Sequence, residues 1–193
     1  MTNVRLQWDA LVTIEEWRPE PSASRLKHEL DGLAEVLHAC VHAGASVSFI
    51  LPFTLAEALD FWQARVLPSV LAGERRVLIA HSEEQIAGTV QLILGLPPNQ
   101  QHRAEVAKLL VHPDVRRRGI GHALMERLET IAQSEGRTLL TLDTRTGDSA
   151  EPLYHSIGYQ LAGVIPGYAR GPASPDLEPT SFMYKHLLPL RST

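Results

Sequence analysis

Val111-His112-Pro113-Asp114-Val115-Arg116-Arg117-Arg118-Gly119-Ile120-Gly121 is the stretch whose reading decides the fold. The residues leading into it, Glu105 to Val111, alternate as a strand does. The residues leading out, from Gly119 to Glu135, repeat apolar side chains at Ile120, Leu124, Leu128 and Ile131, which predicts an amphipathic helix that stops at Gly136. A strand that turns through glycine into a helix leaves backbone N–H groups unpaired at the positive end of the helix dipole. Glycines at that turn also let an anion approach the main chain closely. The spacing Arg116-x-x-Gly119-x-Gly121 is neither the G-x-G-x-x-G of dinucleotide sites nor the G-x-x-x-x-G-K-[ST] of a P-loop. Three arginines stand where a helix dipole disfavours cations, so a merely solvated helix start explains the run poorly.

Composition narrows the partner. The chain has 193 residues, 44% hydrophobic and 21% charged, as expected of one globular domain spanning 1–193. Its formal charge is -4, so the arginine run is a local feature of an acidic chain. No global basic field recruits nucleic acid, and the expected ligand is a small polyanion. A single cysteine, Cys40, excludes an internal disulfide and fits a reducing compartment. The first residues carry Arg5, Asp9, Glu15 and Glu16 without a continuous apolar segment, and no run approaches the ~18 apolar residues of a membrane span. A cytoplasmic location without membrane partners is the expectation.

Outward from the central stretch, the remaining elements follow from periodicity and punctuation. Val4 to Trp8 alternates as a first strand, and residues 18–24 form a loop. Ser24 is placed to cap a helix with Leu26, Leu30, Leu33 and Leu37 on one stripe, ending at Gly44. Thr54-Leu55-Ala56-Glu57 is a capping box that opens a second helix bearing Leu55, Leu59, Trp62 and Val66, with Pro68 positioned to kink or end it. Arg76 to His81 and Ile86 to Leu94 read as a hairpin. After the central helix come a strand over Leu139 to Thr144, a short helix capped by Ser149, and strands over Tyr159 to Val164 and Ser181 to His186. A connector rich in Gly and Pro, Pro166 to Pro179, separates the last two. Strand, helix and strand around the central stretch predict a right-handed parallel crossover.

The pattern [RQ]-x-x-G-x-[GA] after a strand, with Lys108-Leu109-x-Val111-x-Pro113 before it and Ala123-Leu124 after it, resembles the acetyl-CoA motif of the GNAT N-acetyltransferases. The element order β, α, α, β, β, β, α, β, α, β, β is similar to that family's order over nearly the whole chain. The resemblance implies an α/β fold with a mixed central sheet splayed between two parallel strands and helices on both faces. It implies acetyl-CoA as cosubstrate, with no metal. The pantetheine arm is expected along Leu109, Leu110 and Val111, and the pyrophosphate on Arg116, Arg117, Arg118, Gly119, Ile120 and Gly121.

Acetyl transfer to an amine requires a neutral nucleophile, whereas a free alkyl amine holds its proton to about pH 10. It also requires a donor for the oxyanion, for which the resemblance offers the Leu110 or Val111 N–H, and a proton for the departing thiolate. Glu151-Pro152-Leu153-Tyr154-x-x-x-Gly158-Tyr159 resembles the family's second motif and makes Tyr154 the expected acid. Glu105 and Asp143, near the ends of the two splayed strands, are the expected base or substrate anchors, although many family members carry Asn where Asp143 stands. Ala43 to Phe49, Arg103-Ala104-Glu105-Val106, Leu142-Asp143-Thr144 and Pro166-Gly167-Tyr168 resemble the tabtoxin-resistance acetyltransferase subgroup, whose acceptor is amino-acid-like. By that similarity His42, Ser46 and Tyr168 are expected to line the acceptor pocket.

Other chemistries fit less well. His38-x-x-x-His42 has ligand spacing, but the Glu of H-E-x-x-H and a third ligand are missing. Gly44-Ala45-Ser46-Val47-Ser48 fails the G-x-S-x-G elbow at its last position and follows a helix. Three functions stay open at this point. They are an N-acetyltransferase for a small-molecule amine, the same chemistry on a peptide N-terminus or lysine, and a CoA-binding regulatory module without turnover. A homodimer is left open as an assembly state.

Overall fold

The computed structural model describes residues 2–5, 11–20, 23–82 and 85–187. Among them, eight strands form one sheet in the order β1-β2-β3-β4-β5-β6-β8-β7. The strands are β1 (Thr2–Arg5), β2 (Leu11–Glu16), β3 (Arg75–Ser82), β4 (Gln85–Ile93), β5 (Arg103–Val111), β6 (Leu139–Arg145), β7 (Gln160–Arg170) and β8 (Leu177–His186). Every neighbouring pair is antiparallel except β5 and β6, which run parallel across the central helix. Helices cover both faces, as the mixed α/β expectation requires.

On one face lies α1 (Ala23–His42), whose predicted stripe buries Leu30, Leu33 and Leu37 together with Val41. It packs with Trp17, Trp62, Val66, Val77, Ile79 and Leu110. On the other face lies α4 (Ile120–Ser134), which buries all four predicted positions, Ile120, Leu124, Leu128 and Ile131. These meet Leu78, Val90, Leu92, Val106, Leu140 and Leu142. At ~25 cal/mol per Å² of apolar area removed from water, such doubly covered strands supply the main drive for folding.

The second helix departs from expectation in an instructive way. Its capping box forms as read, with Thr54 Oγ1 accepting from the Glu57 N–H and Glu57 Oε2 accepting from the Thr54 N–H. After α2 (Leu55–Asp60) the helix widens into a π-helical segment, Phe61–Val66, before α3 (Leu67–Leu71). The Leu67 N–H reaches back five residues to the Trp62 carbonyl. Pro68 therefore neither ends nor breaks the helical path; it sits in the first turn of α3, where its missing N–H has no helical bond to make.

Other boundaries are corrected. The sequence reading places no strand at Leu11–Glu16, yet β2 forms there, with Val12 and Ile14 buried and Thr13 and Glu15 less so. The first strand is Thr2–Arg5, and Leu6 to Trp8 of the expected one lie outside the described residues. Ser24 lies inside α1 and does not cap it. The cap residue of α5 (Glu151–Ser156) is Ala150, while Ser149 donates to Asp148 and the Glu151 carboxylate accepts the Gly147 N–H at 2.7 Å. The expected connector Pro166 to Pro179 is mostly strand. β7 ends the sheet as an edge, and pairing irregularities between Leu161 and Gly163 and between Ile165 and Ala169 absorb Pro166 and Gly167. Leu161, Val164, Ile165 and Tyr168 on that edge are exposed.

Tyr159 packs beside Tyr154 at a centroid distance of 5.8 Å, and its hydroxyl is buried with no partner among the described residues. Burial, and next the nearby Glu129, hold its phenol well above the ordinary range. A raised folded value means the stabilisation is full below the unfolded pKa of about 10 and is lost as pH climbs above it. Tyr159→Phe is expected to leave stability at about pH 7 unchanged or raised by about 1 kcal/mol, and to lessen the loss of stability at about pH 11. Urea melts at both pH values check this; an unchanged alkaline loss would contradict it.

Candidate functional site

β5 and β6 pair only through Arg103, Ala104 and Glu105 against Leu139, Leu140 and Thr141. Beyond those residues the two strands part. Each keeps its outer neighbour, since Val106, Ala107, Leu110 and Val111 still pair with β4 and Leu142 to Arg145 still pair with β8. The inner edges of both strands therefore face a gap. A cavity of about 1010 Å³ opens at that gap, lined by Val106 to Val111 on one side and Asp143 to Tyr154 residues on the other.

The turn predicted from the arginine-glycine stretch forms the cavity's end. Gly119 is the N-cap of α4 at φ +79° and has no side chain to offer the helix. Arg117 also takes a left-handed backbone, at φ +63°. The backbone N–H groups of Arg117, Arg118, Gly119, Ile120, Gly121 and His122 have no hydrogen-bond partner among the described residues; the Ala123 N–H is the first to be used, by the Gly119 carbonyl. Consecutive free donors at a helix start attract an anion. Gly121 is further pinned by packing, because a Cβ there would meet Leu153 of α5 at 3.2 Å.

The three arginines separate in role. Arg116 folds back, its Nε donating to the Val111 carbonyl at 3.1 Å and its Nη2 lying 3.8 Å from Cys40 Sγ. It ties the turn to the end of β5 and to α1. Arg117 lines the cavity, and Arg118 points away from its lining into solvent. Leu109, Leu110, Val111, Gly119, Ile120 and Gly121 all line it.

Tyr154 also lines the cavity and is 6% exposed. Its hydroxyl has no hydrogen-bond partner among the described residues. Burial, and then Asp148 and Asp143, push its phenol far above the ordinary value, so it keeps its proton at any physiological pH. Asp143 lines the cavity from β6. Glu105 does not: it sits at the closed end of the gap, paired with Thr141, with its carboxylate 3.9 Å from Arg103. Strand alternation still puts Glu105 on the sheet face of Asp143, because Thr141 faces Glu105 and Asp143 follows two residues on.

The expected acceptor residues scatter. Ser46 lines the cavity. His42 is turned away, with Nε2 2.8 Å from the Phe53 carbonyl. Tyr168 stands on the exposed β7 edge, edge-on to Phe182 at 5.3 Å. Two further cavity residues hold positions that the sequence reading assigns no role. Arg145 donates to the Gly44 carbonyl at 3.3 Å, to Asp148 at 2.9 Å and to Glu178 at 3.4 Å. It thereby ties the loop after α1 to β8 at the cavity lining. Lys108 of β5 has φ +52° and its ammonium reaches Ser48 Oγ at 3.3 Å.

Residues 73–161 match the family described as the acetyltransferase (GNAT) domain. The fold is the GNAT fold. Ribosomal-protein-alanine N-acetyltransferase from Brucella melitensis superposes with a TM-score of 0.73 at 21% identity, over 91% of this chain and 99% of that one. The Salmonella typhimurium protein yncA, solved with its cofactor acetyl-CoA, gives a TM-score of 0.72 at 18% identity over 94% and 96%. An aminoglycoside 6'-N-acetyltransferase complexed with coenzyme A gives 0.66 at 17% over 93% and 99%. In sequence, human N-acetyltransferase 8 is 34% identical over 87 residues, 44% of this chain; the match spans 38% of that protein's length. Across the GNAT fold of this chain, the described residues include no group of three or more metal-ligating side chains and no helix long and apolar enough to cross a membrane.

Arg145→Met is expected to lower stability by about 1–3 kcal/mol, because it strands two partly buried carboxylates and one carbonyl. Chemical denaturation measures it; a loss of less than about 0.5 kcal/mol would show that the clamp carries no strain-bearing load.

Proposed function

We propose that this chain is an acetyl-CoA-dependent N-acetyltransferase that acts on a primary amine of a small molecule by direct attack in a ternary complex. The observation that carries the reading is the run of unpartnered amides from Arg117 to His122 standing beside an unzipped strand pair. The free amides match a diphosphate, and the inner edge of β5 matches an amide-bearing arm that pairs as a short strand. Bound acetyl-CoA supplies the activated acetyl group. Everything else falls to the chain.

Leu109 to Val111 hold the arm and present a main-chain N–H toward the developing oxyanion. Asp143 holds the incoming ammonium and accepts its proton, directly or through water; Glu105, at the closed end of the gap, acts only through water. Tyr154 keeps its proton far more tightly than a thiol with a pKa of about 8.5 does. Outright donation to the leaving thiolate is therefore uphill, and Tyr154 serves as a hydrogen-bond donor that stabilises the departing sulfur as a proton arrives from the amine.

A small acceptor is favoured over a peptide by the Arg145 clamp. It joins Gly44 on the α1 side to Glu178 on β8, and all three residues line the cavity, which narrows the room left for a long acceptor. The resemblance to the tabtoxin-resistance subgroup supports an amino-acid-like amine, with Ser46 as the pocket residue best placed to meet it.

Thiol release from acetyl-CoA over a panel of amino acids, polyamines, aminoglycosides and peptides tests the reading; no release with any amine would reject it. Tyr154→Phe is expected to lower turnover by about 10- to 100-fold with acetyl-CoA affinity retained. Unchanged turnover would remove Tyr154 from the chemistry. Gly119→Val is expected to weaken acetyl-CoA binding by at least tenfold in calorimetry, because a β-branched residue at φ +79° distorts the turn. Full affinity would locate the diphosphate elsewhere.

A further inference from the structure

Lys108 is the residue that the chemistry above leaves unused. Ala104 and Val106 face the α4 core, and so do Leu109 and Val111. Strand alternation cannot hold across that interval, so Ala107 and Lys108 must both face the other way. The register against β4 slips at this point, between Thr89 and Gln91. Lys108 is thus the bulged residue, re-aimed by the bulge into the cavity. Its φ of +52° is a conformation that glycine adopts freely and lysine resists. A glycine would form the same bulge with less strain, so the side chain itself has to justify the position.

The ammonium is held but not neutralised. Its neighbours are Ser48 Oγ at 3.3 Å and the ring faces of Phe49 and Phe61 at 6.0 and 5.9 Å. No carboxylate lies within 4.0 Å of it among the described residues. Ser48 is itself in the left-handed region, at φ +78°, so both partners of this contact sit on strained backbone. Asp143 favours the charged lysine from across the gap, while burial opposes it. A partly buried cation without a fixed counter-ion is costly, and an arriving anion removes that cost.

We infer that Lys108 selects the acceptor, its ammonium binding an anionic group, a carboxylate in the simplest case, on the same small molecule whose amine faces Asp143. Lys108 on β5 and Asp143 on β6 stand on opposite lips of the gap, so a zwitterion lies between them with its amine turned toward the acetyl end. This rests on the acetyl-transfer reading of the cavity and adds to it the residue that recognises the acceptor's anionic group.

The test uses α-, β- and γ-amino acids, each paired with its own carboxamide, on the full chain. The wild type is expected to favour the carboxylate member by about 10- to 100-fold in kcat/KM. Lys108→Met is expected to erase that ratio, chiefly through KM for the carboxylate member, and Lys108→Arg to restore most of it. Lys108→Gly relaxes the backbone while removing the charge; it too is expected to lose the ratio, which separates charge from folding. A ratio that survives in Lys108→Met and Lys108→Gly, or a wild type without one, overturns the proposal. If no probe is acetylated, the acetyl-transfer reading fails by itself. Calorimetric binding of the same pairs to the CoA-saturated protein then decides on Lys108: carboxylate preference lost in Lys108→Met supports it, and equal or absent binding overturns it.

Discussion

The site depends on three residues of ladder. Parallel pairing between β5 and β6 stops after Glu105 and Thr141, and the twist that separates the strands is fixed on both outer edges by intact antiparallel partners. A bulge on β5 sharpens the divergence, as bulges increase local twist. Main-chain donors and acceptors left along a gap are expensive unless something fills them. The fold tolerates them because both faces beneath the strands are packed, by α1 and the π-helical segment on one side and by α4 on the other. Packing energy from two cores holds open a cleft that backbone pairing alone would close.

Strain concentrates in the same place. Among the described residues, the non-glycine positions with left-handed backbone are Ser48, Lys108 and Arg117. One is in the loop after α1, one in the bulge and one in the turn before α4, and Lys108 and Arg117 line the cavity while Ser48 holds Lys108. Each belongs to a different element, yet all three bend the chain toward a common space. Arg116 and Arg145 brace that space from opposite ends, one against the Val111 carbonyl and Cys40, the other against Gly44, Asp148 and Glu178. Both cations act as struts, so of the three arginines at the helix start Arg116 is spent on bracing, while Arg117 and Arg118 stay exposed.

What could be read from the chain was local. The strand-turn-helix around Gly119 announces itself because apolar period, glycine spacing and charge all fall within a few turns. Tyr154 is different: periodicity alone reads it as a core tyrosine, and only the resemblance of its stretch to a family motif singles it out, whereas the structure puts it in a short helix at the cavity. The clamp of Arg145 was not legible, since its partners are 101 and 33 residues away, at Gly44 and Glu178. Lys108 was hidden by its own strand, because a bulge depends on how β4 pairs and leaves no mark in the alternation of one sequence. Glu105 and Asp143 were read as a pair, but only the register of β5 on β6 tells that one lies at the apex and the other on the open lip. β2 buries Val12 and Ile14 on one face, an alternation too short to stand out in the sequence before the two acids Glu15 and Glu16.

The edge strand β7 bears on how the protein behaves at high concentration. Its apolar side chains and free main-chain groups would ordinarily invite another strand to dock and extend into a stack. Two interruptions in its register, with Pro166 lacking a donor and Gly167 at φ +60°, break that edge into short pieces. No straight strand can add along its whole length. Removing the proline and glycine would smooth the edge, and solubility would be lost there before any stability was.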